Sequence, residues 1–456
     1  MVALFEAQKK IYPRSVSGRF TRWRWALVWL TQLVFYGLPW LEWGQRQAVL
    51  FDLGARRFYI FGLVLYPQDF IYLTALLVIS ALALFLFTAL AGRLWCGFAC
   101  PQTVYTEIFL WIEHRVEGDR SARMRLDGAP LSAAKLGKKS VKQLLWLSVA
   151  LWTGISFVGY FTPVRELLPA MAEAQMGSWE VFWVLFYGLA TYGNAGFMRE
   201  QVCKYMCPYA RFQSAMFDRD TLIVSYDERR GEPRGARSRK ADPAALNLGA
   251  CVDCTLCVQV CPTGIDIRQG LQYECIGCGA CADVCDTVMD KMGYARGLVK
   301  YATQSSLNPE TATDGMLRRM LRPRVLVYSA ILLSISLALL VSLSLRTPFR
   351  VDVVRDRGAL SRIVAGGMLE NVYRLQIMNA TELVQQYRLR ASGLEGLRVA
   401  SEEVVEVDAA QSRWVAVRVQ LPYANAAPGS QAMRFDIEAL GTSDRVQEKS
   451  VFVVPR

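Results

Sequence analysis

Five stretches of the chain are apolar and free of charge: residues 25–41, 70–92, 143–164, 181–198 and 325–345. A membrane-spanning helix needs ~20 predominantly apolar residues, with a range of about 17–25. All five are read as spans. The first and fourth lie at the short end, where a buried soluble helix is the competing reading. After Arg346 the pattern changes to short alternating runs, "FRVDVV", "NVYRLQIMN", "QYRLRAS", "EEVVEVD", "RWVAVRVQL", "AMRFDIEAL" and "SVFVVPR". Period-two alternation broken by turns predicts strands, and seven short strands in so short a region predict an immunoglobulin-like sandwich.

Charge orients the spans. Lys9, Lys10, Arg14, Arg19, Arg22 and Arg24 precede the first, and Arg93, Arg115, Arg120, Arg123, Arg125, Lys135, Lys138, Lys139 and Lys142 lie between the second and third. The loop from Arg165 to Trp179 holds one positive residue. Basic residues collect on the cytoplasmic side. This places the N-terminus and residues 199–324 in the cytoplasm and the tail after Arg346 outside. The net charge of +12 is then a topology signal, and no nucleic acid is needed to explain it. The basic run from Glu228 to Lys240 reads as a solvated linker or a contact with anionic membrane lipid.

Twelve cysteines stand beside a single histidine, His114, in the 456 residues. That balance excludes haem held by paired histidines and histidine-rich metal sites built from this chain alone. His114 itself reads as a solvated surface residue. Eight cysteines form "CVDCTLCVQVCPTGIDIRQGLQYECIGCGACADVC", a C-x2-C-x2-C-x3-C-P followed by a second C-x2-C-x2-C-x3-C. This is the bacterial two-cluster ferredoxin run, in which the fourth cysteine of each motif ligates the other cluster. Cys251, Cys254, Cys257 and Cys285 are therefore assigned to one [4Fe–4S] cluster, and Cys275, Cys278, Cys281 and Cys261 to the second. Structural zinc is the rival, disfavoured by the doubled spacing.

Cys96, Cys100, Cys203 and Cys207 remain. Each pair is a C-x3-C-P after an apolar run, and the motifs are 107 positions apart. The plan is an internal repeat of two spans and a motif, able to gather four thiols at the inner membrane face. The competing reading is packing as small apolar residues, the usual fate of buried free cysteine. Four residues apart on an α-helix is one face, so each pair is expected to present both thiols together. Sulfur favours Cu(I), zinc or iron–sulfur over hard ions. The expected architecture is a multi-domain membrane protein with an α-helical bundle, an inserted ferredoxin domain and an all-β sandwich. Residues 1–228 form the four-span membrane domain with both C-x3-C-P motifs, and 229–300 the cytoplasmic ferredoxin-type domain. Residues 301–346 form a linker and fifth transmembrane helix, and 347–456 the periplasmic immunoglobulin-like domain.

With "GRLWCGFACPQTVYTEIFLWIE", "CKYMCPYARFQSAMFD", "FYIFGLVLYPQDFIYLTALL" and the ferredoxin run assembled, the chain resembles the CcoG (FixG, RdxA) family of cytochrome oxidase accessory proteins. The resemblance implies a multi-pass protein of the bacterial inner membrane that supports assembly of cbb(3)-type cytochrome c oxidase. It implies reduction of Cu(II) to Cu(I) for the oxidase copper centre. Cys96, Cys100, Cys203 and Cys207 are then the expected catalytic residues and copper ligands. The expected partners are a cytoplasmic electron donor, copper ion, and oxidase subunits or copper chaperones. Two alternatives stand beside this reading. Quinol dehydrogenase subunits of the NapH type share the same motifs, and a non-enzymatic assembly scaffold would carry the clusters as structure.

Overall fold

The computed structural model describes residues 10–243, 245–307, 321–356 and 361–455. Residues 308–320, inside the expected linker, lie outside the described residues. The chain divides into two compact units: Leu73–Ser336 together with the N-terminal stretch to Leu41, and Glu42–Tyr72 together with Leu337–Arg456.

Among the described residues, three helices are long and apolar enough to cross a membrane: Pro67–Ala91, Ala133–Val158 and Pro323–Ser344. The other two apolar stretches are helical as well. Arg19–Gly37 forms α1, and Ser178–Gly193 continues through a π-turn at Asn194–Met198. In the first unit, α2 (Phe70–Ala91) leads through α3 (Leu94–Phe98) into α4 (Pro101–Glu117). Helix Ala133–Val158 packs on Ser178–Gly193 through Gly154, where an added Cβ would lie 2.2 Å from the Val184 carbonyl oxygen. Only a residue without a side chain permits that approach. Trp146 on the same helix stacks on Phe109 of α4 and donates its indole N–H to the Phe109 carbonyl at 3.0 Å.

The ferredoxin run lies between two short strands that pair antiparallel, Ile223–Tyr226 and Val299–Ala302. These strands supply Val224, Tyr226 and Val299 to an apolar core with Ile267, Ala282, Met289 and Leu298. The second cysteine motif runs into helix Ala280–Met292. The N-terminus of α1 is tied to that helix. Asp283 accepts from the backbone N–H groups of Phe20 and Thr21 and from the Thr21 hydroxyl, satisfying donors that a helix start leaves orphaned.

In the second unit all seven expected strands are present: Phe349–Arg355, Met368–Asn379, Gln385–Ser392, Val404–Val407, Ser412–Pro422, Gly429–Ala439 and Arg445–Val454. They form two antiparallel sheets. In one, Met368–Asn379 is central, flanked by Ser412–Pro422 and Phe349–Arg355. In the other, Gly429–Ala439 pairs with Gln385–Ser392 and Arg445–Val454. Tyr373, Leu375 and Ile377 are wholly buried at alternate positions of the central strand, as the period of a strand requires. They meet Phe435, Ile437 and Phe452 in one core.

The expected domain division did not place residues 42–72 here. Three strands, Val49–Asp52, Arg57–Ile60 and Leu63–Leu65, form a meander. Its Leu50, Tyr59, Val64 and Tyr66 share a core with Met378 and Ala410. The Tyr66 hydroxyl donates to the Asn379 carbonyl at 2.8 Å. Asp69, 2% exposed, accepts from Arg346 at 2.6 Å and pairs with Arg350 at 2.8 Å. A loop between two apolar stretches is thus folded onto the sandwich through contacts about three hundred positions away in sequence.

Candidate metal centres

Two cavities in the ferredoxin region separate the eight cysteines. Cys251, Cys254, Cys257 and Cys285 line one, with Tyr226, Met289 and Leu298. Cys261, Cys275, Cys278 and Cys281 line the other, with Val224, Ile265 and Ile267; Cys257 also borders it. The crossed grouping expected from the spacing is the one in which the cysteines come together. Sulfur donors in apolar walls fit an iron–sulfur cluster. Among the described residues, no three His, Cys, Asp or Glu side chains stand close enough to hold a single metal ion. Burial pushes the Cys257 thiol up to about 11 and those of Cys275 and Cys285 up to about 12. Binding of iron displaces those protons, because the thiolate is the ligand.

The two C-x3-C-P motifs take related but unequal shapes. Cys96 lies within α3, and Cys100 is the extended N-cap residue of α4, with Pro101 at its first position. Cys203 lies in a π-turn, Val202–Met206, and Cys207 caps helix Pro208–Met216. Proline suits a first helical position because its missing N–H would have had no partner there. The expectation that each pair shares one α-helical face is corrected: the chain leaves the helix between the two cysteines so that the proline can start the next.

The repeat crosses over itself. Gln102, two residues beyond Cys100, donates to the carbonyls of Asn194 and Arg199 at 3.0 Å, in the turn before the second motif. Tyr209, two residues beyond Cys207, bonds the Thr88 hydroxyl at 2.6 Å and donates to the Leu84 carbonyl at 3.1 Å, in the helix before the first. Each half therefore secures the other half's motif. Gln213 extends this lock, accepting from the Cys96 thiol at 3.3 Å and donating to Thr88.

Cys96 and Cys203 each pack against an apolar cluster that includes Ile276, Cys278 and Ala280, which line the second sulfur-lined cavity. Burial pushes the Cys96 thiol up to about 12 and that of Cys203 up to about 11. Neighbouring cysteines add to both shifts and the Arg93 guanidinium opposes them. Arg93 does more than supply charge. It donates to the carbonyls of Tyr273, Cys275 and Ala210, joining the first motif to the ferredoxin loop and to the helix after the second. Lys204 donates to the Thr263 carbonyl at 3.1 Å.

Gly97 sits between the two cysteines of the first motif, and a Cβ there would lie 2.7 Å from the Gly277 carbonyl oxygen. Backbone on both sides leaves no side chain to swing away. Gly97→Ala is expected to cost about 1–3 kcal/mol through overpacking, read as a lower unfolding midpoint of the detergent-solubilised chain. An unchanged midpoint would mean that the two loops separate freely.

The chain is 37% identical over 470 residues to RdxB of Cereibacter sphaeroides, covering 99% of this chain and 97% of the relative. It belongs to the FixG/RdxA family. Nitrogen fixation protein FixG of Rhizobium meliloti is 38% identical over 91% of this chain and 85% of its own length. RdxA of Cereibacter sphaeroides is 38% identical over 89% and 87%. Three family descriptions divide the chain in agreement with the fold: a 4Fe–4S binding domain at residues 73–117, a 4Fe–4S dicluster domain at 198–304, and the Ig-like fold at the C-terminus of FixG at 339–455. Membership of this family makes the chain an iron–sulfur protein with membrane-length helices and an Ig-like C-terminal domain.

Sequence reasoning missed Gln102, Tyr209 and Gln213. Each is an ordinary polar residue inside a helix, and only its offset from the repeated motif marks it. His114, read as a solvated surface residue, lies at the surface with Nδ1 3.9 Å from an Asp119 carboxylate oxygen. The imidazole is 40% exposed, and its Nδ1 is buried without a hydrogen-bond partner.

Proposed function

We propose that this protein is a membrane-bound iron–sulfur oxidoreductase that reduces Cu(II) to Cu(I) in the assembly of cbb(3)-type cytochrome c oxidase. The observation that carries the reading is the packing of Cys96 and Cys203 against an apolar cluster that includes Cys278, which supports an electron path from the second cluster to these thiols. Cys251, Cys254, Cys257 and Cys285 hold one [4Fe–4S] cluster and Cys261, Cys275, Cys278 and Cys281 the other. When bound, these groups supply single electrons.

The chain's own part is to hold copper where an electron reaches it. Two cysteines suffice for two-coordinate Cu(I), and thiolate sulfur stabilises the soft reduced ion over Cu(II), so binding itself favours reduction. Each Cu(II) takes one electron, and each thiol that binds releases its proton. Arg93 keeps the C-x3-C-P turn and the cluster loop in register. Five spans, including α1 and residues 181–198, put the ferredoxin region in the cytoplasm of an inner-membrane protein and the Ig-like domain in the periplasm. That domain has no cysteine and so no thiolate site of its own; its role is contact with oxidase subunits or copper carriers, or else that of a stabilising cap.

Changing Cys96, Cys100, Cys203 and Cys207 together to serine is expected to leave cluster iron unchanged while abolishing Cu(II) reduction and tight Cu(I) binding. The measurement is reoxidation of dithionite-reduced protein by Cu(II), followed in the visible band of the clusters. Full copper reduction by the four-serine variant would sink the reading.

A further inference from the structure

A cavity of about 210 Å³ opens in the first unit between the N-terminal segment, α1 and α4. Pro262 and Ala280 form part of its wall, and each neighbours a cysteine of the second cluster site, Cys261 and Cys281. The opposite walls carry Trp25 and Trp111, two indoles packed edge to face with centroids 6.4 Å apart. The polar groups of the lining are unusual. Arg24 is 5% exposed, and although one guanidinium nitrogen donates to Glu107 at 3.2 Å, its Nε has no hydrogen-bond partner. Nδ1 of His114, also in the lining, makes no hydrogen bond and lies 3.9 Å from an Asp119 carboxylate oxygen. Buried polar groups are normally satisfied, so this lining is suited to a ligand that accepts from an arginine and gives protons to a carboxylate and an imidazole.

We infer that this cavity is the electron entry site and that it takes the head group of a membrane quinol. A single dihydroxylated aromatic ring matches the aromatic walls, and the volume holds one ring without its tail. The outer face of α1 presents Trp29, Leu30, Leu33 and Val34, each at least half exposed, which suits an apolar tail running along it. The Arg24 guanidinium donates to one ring oxygen. Glu107 takes the proton of one hydroxyl and His114 that of the other, so that both C–O bonds become C=O and quinol becomes quinone. The two electrons released reduce two Cu(II) to two Cu(I). This destination rests on the function proposed above; the two protons pass to water.

Duroquinone and its quinol test the site in the purified full chain. Titration calorimetry of oxidised protein with duroquinone is expected to show one site per chain, weakened at least tenfold in Trp111→Leu, a change at a half-exposed residue. Anaerobic duroquinol is expected to bleach the cluster absorbance, at least tenfold more slowly in Glu107→Gln, while dithionite bleaches both proteins alike. Absence of duroquinone binding, or equal affinity in Trp111→Leu, overturns the site, as does equal bleaching by duroquinol in Glu107→Gln. Copper is assayed separately on dithionite-reduced protein. Cluster reduction by duroquinol without reoxidation by Cu(II) therefore supports the quinol site while removing copper as the acceptor.

Discussion

Replacing Cys285 with serine is expected to halve the iron of the purified protein, from about eight atoms per chain to about four, by loss of one [4Fe–4S] cluster. The cluster lost is the one assigned to Cys251, Cys254 and Cys257, although Cys285 belongs to the second motif in sequence. Cys261→Ser is expected to do the reverse, removing the cluster assigned to Cys275, Cys278 and Cys281. The cysteines line two cavities in this grouping, with Cys257 bordering both. Iron analysis gives the count. Electron paramagnetic resonance of the reduced variants gives the identity, because the two clusters sit in unlike surroundings. The first cavity is bordered by Arg268, whereas Cys275 and Cys278 feel the charges of Arg93 and Arg24 respectively. A residual signal in Cys285→Ser that matches Cys275→Ser, instead of Cys251→Ser, would show that the motifs do not cross. Zinc in place of iron would remove the clusters from the account.

Glu113→Ala is expected to destabilise the first unit by about 3–5 kcal/mol, the usual consequence of removing one partner from a buried ion pair. Glu113 is 1% exposed on α4. Its carboxylate meets Arg123 at 3.0 Å, Arg199 at 3.1 Å and Lys142 at 3.7 Å. Lys142 also reaches Glu117 at 3.0 Å, and Arg123 and Lys142 are themselves buried. Truncating Glu113 leaves this group with an excess of desolvated positive charge. Burial by itself would raise the Glu113 carboxyl, but Arg199, Arg123 and Lys142 hold it below its ordinary value of 4.5. Its contribution is therefore fully present above that pH and is lost as the pH falls through the lower folded value. The measurement is the unfolding midpoint in detergent at neutral and acid pH, with a smaller difference between variant and parent at the acid end. Asp290→Asn serves as the control. It breaks the exposed pair with Arg296, both side chains well over a third exposed, and is expected to leave the midpoint where it was. Equal midpoints for Glu113→Ala and Asp290→Asn would mean that the buried group is already wet.

Local spacing carried the parts of this protein that were legible in its sequence. Three cysteines with two residues between each pair can reach one cluster from a single loop, so the ferredoxin run was recognisable as a 4Fe–4S region from spacing alone. The sandwich strands were legible because a strand with one buried face must alternate, as Tyr373, Leu375 and Ile377 do. The apolar stretches all proved helical, since length and absence of charge are again local properties.

What the tertiary structure decided involves residues far apart in the chain, whose contacts no local pattern records. The segment 42–72 joins the sandwich because Tyr66 reaches Asn379 and Asp69 reaches Arg346, pairs that a sequence shows only as scattered polar residues. Glu113 draws its three cations from separate stretches of chain. The repeat in Cys96–Cys100 and Cys203–Cys207 was visible, but the exchange of hydrogen bonds between its halves runs through Gln102 and Tyr209. Side-chain hydrogen bonds across such distances leave no periodicity behind. The motif announced which sulfurs are present, and packing decided which of them lie against the Ile276 and Cys278 cluster: Cys203 and Cys96, the latter where Gly97 lets backbone approach backbone.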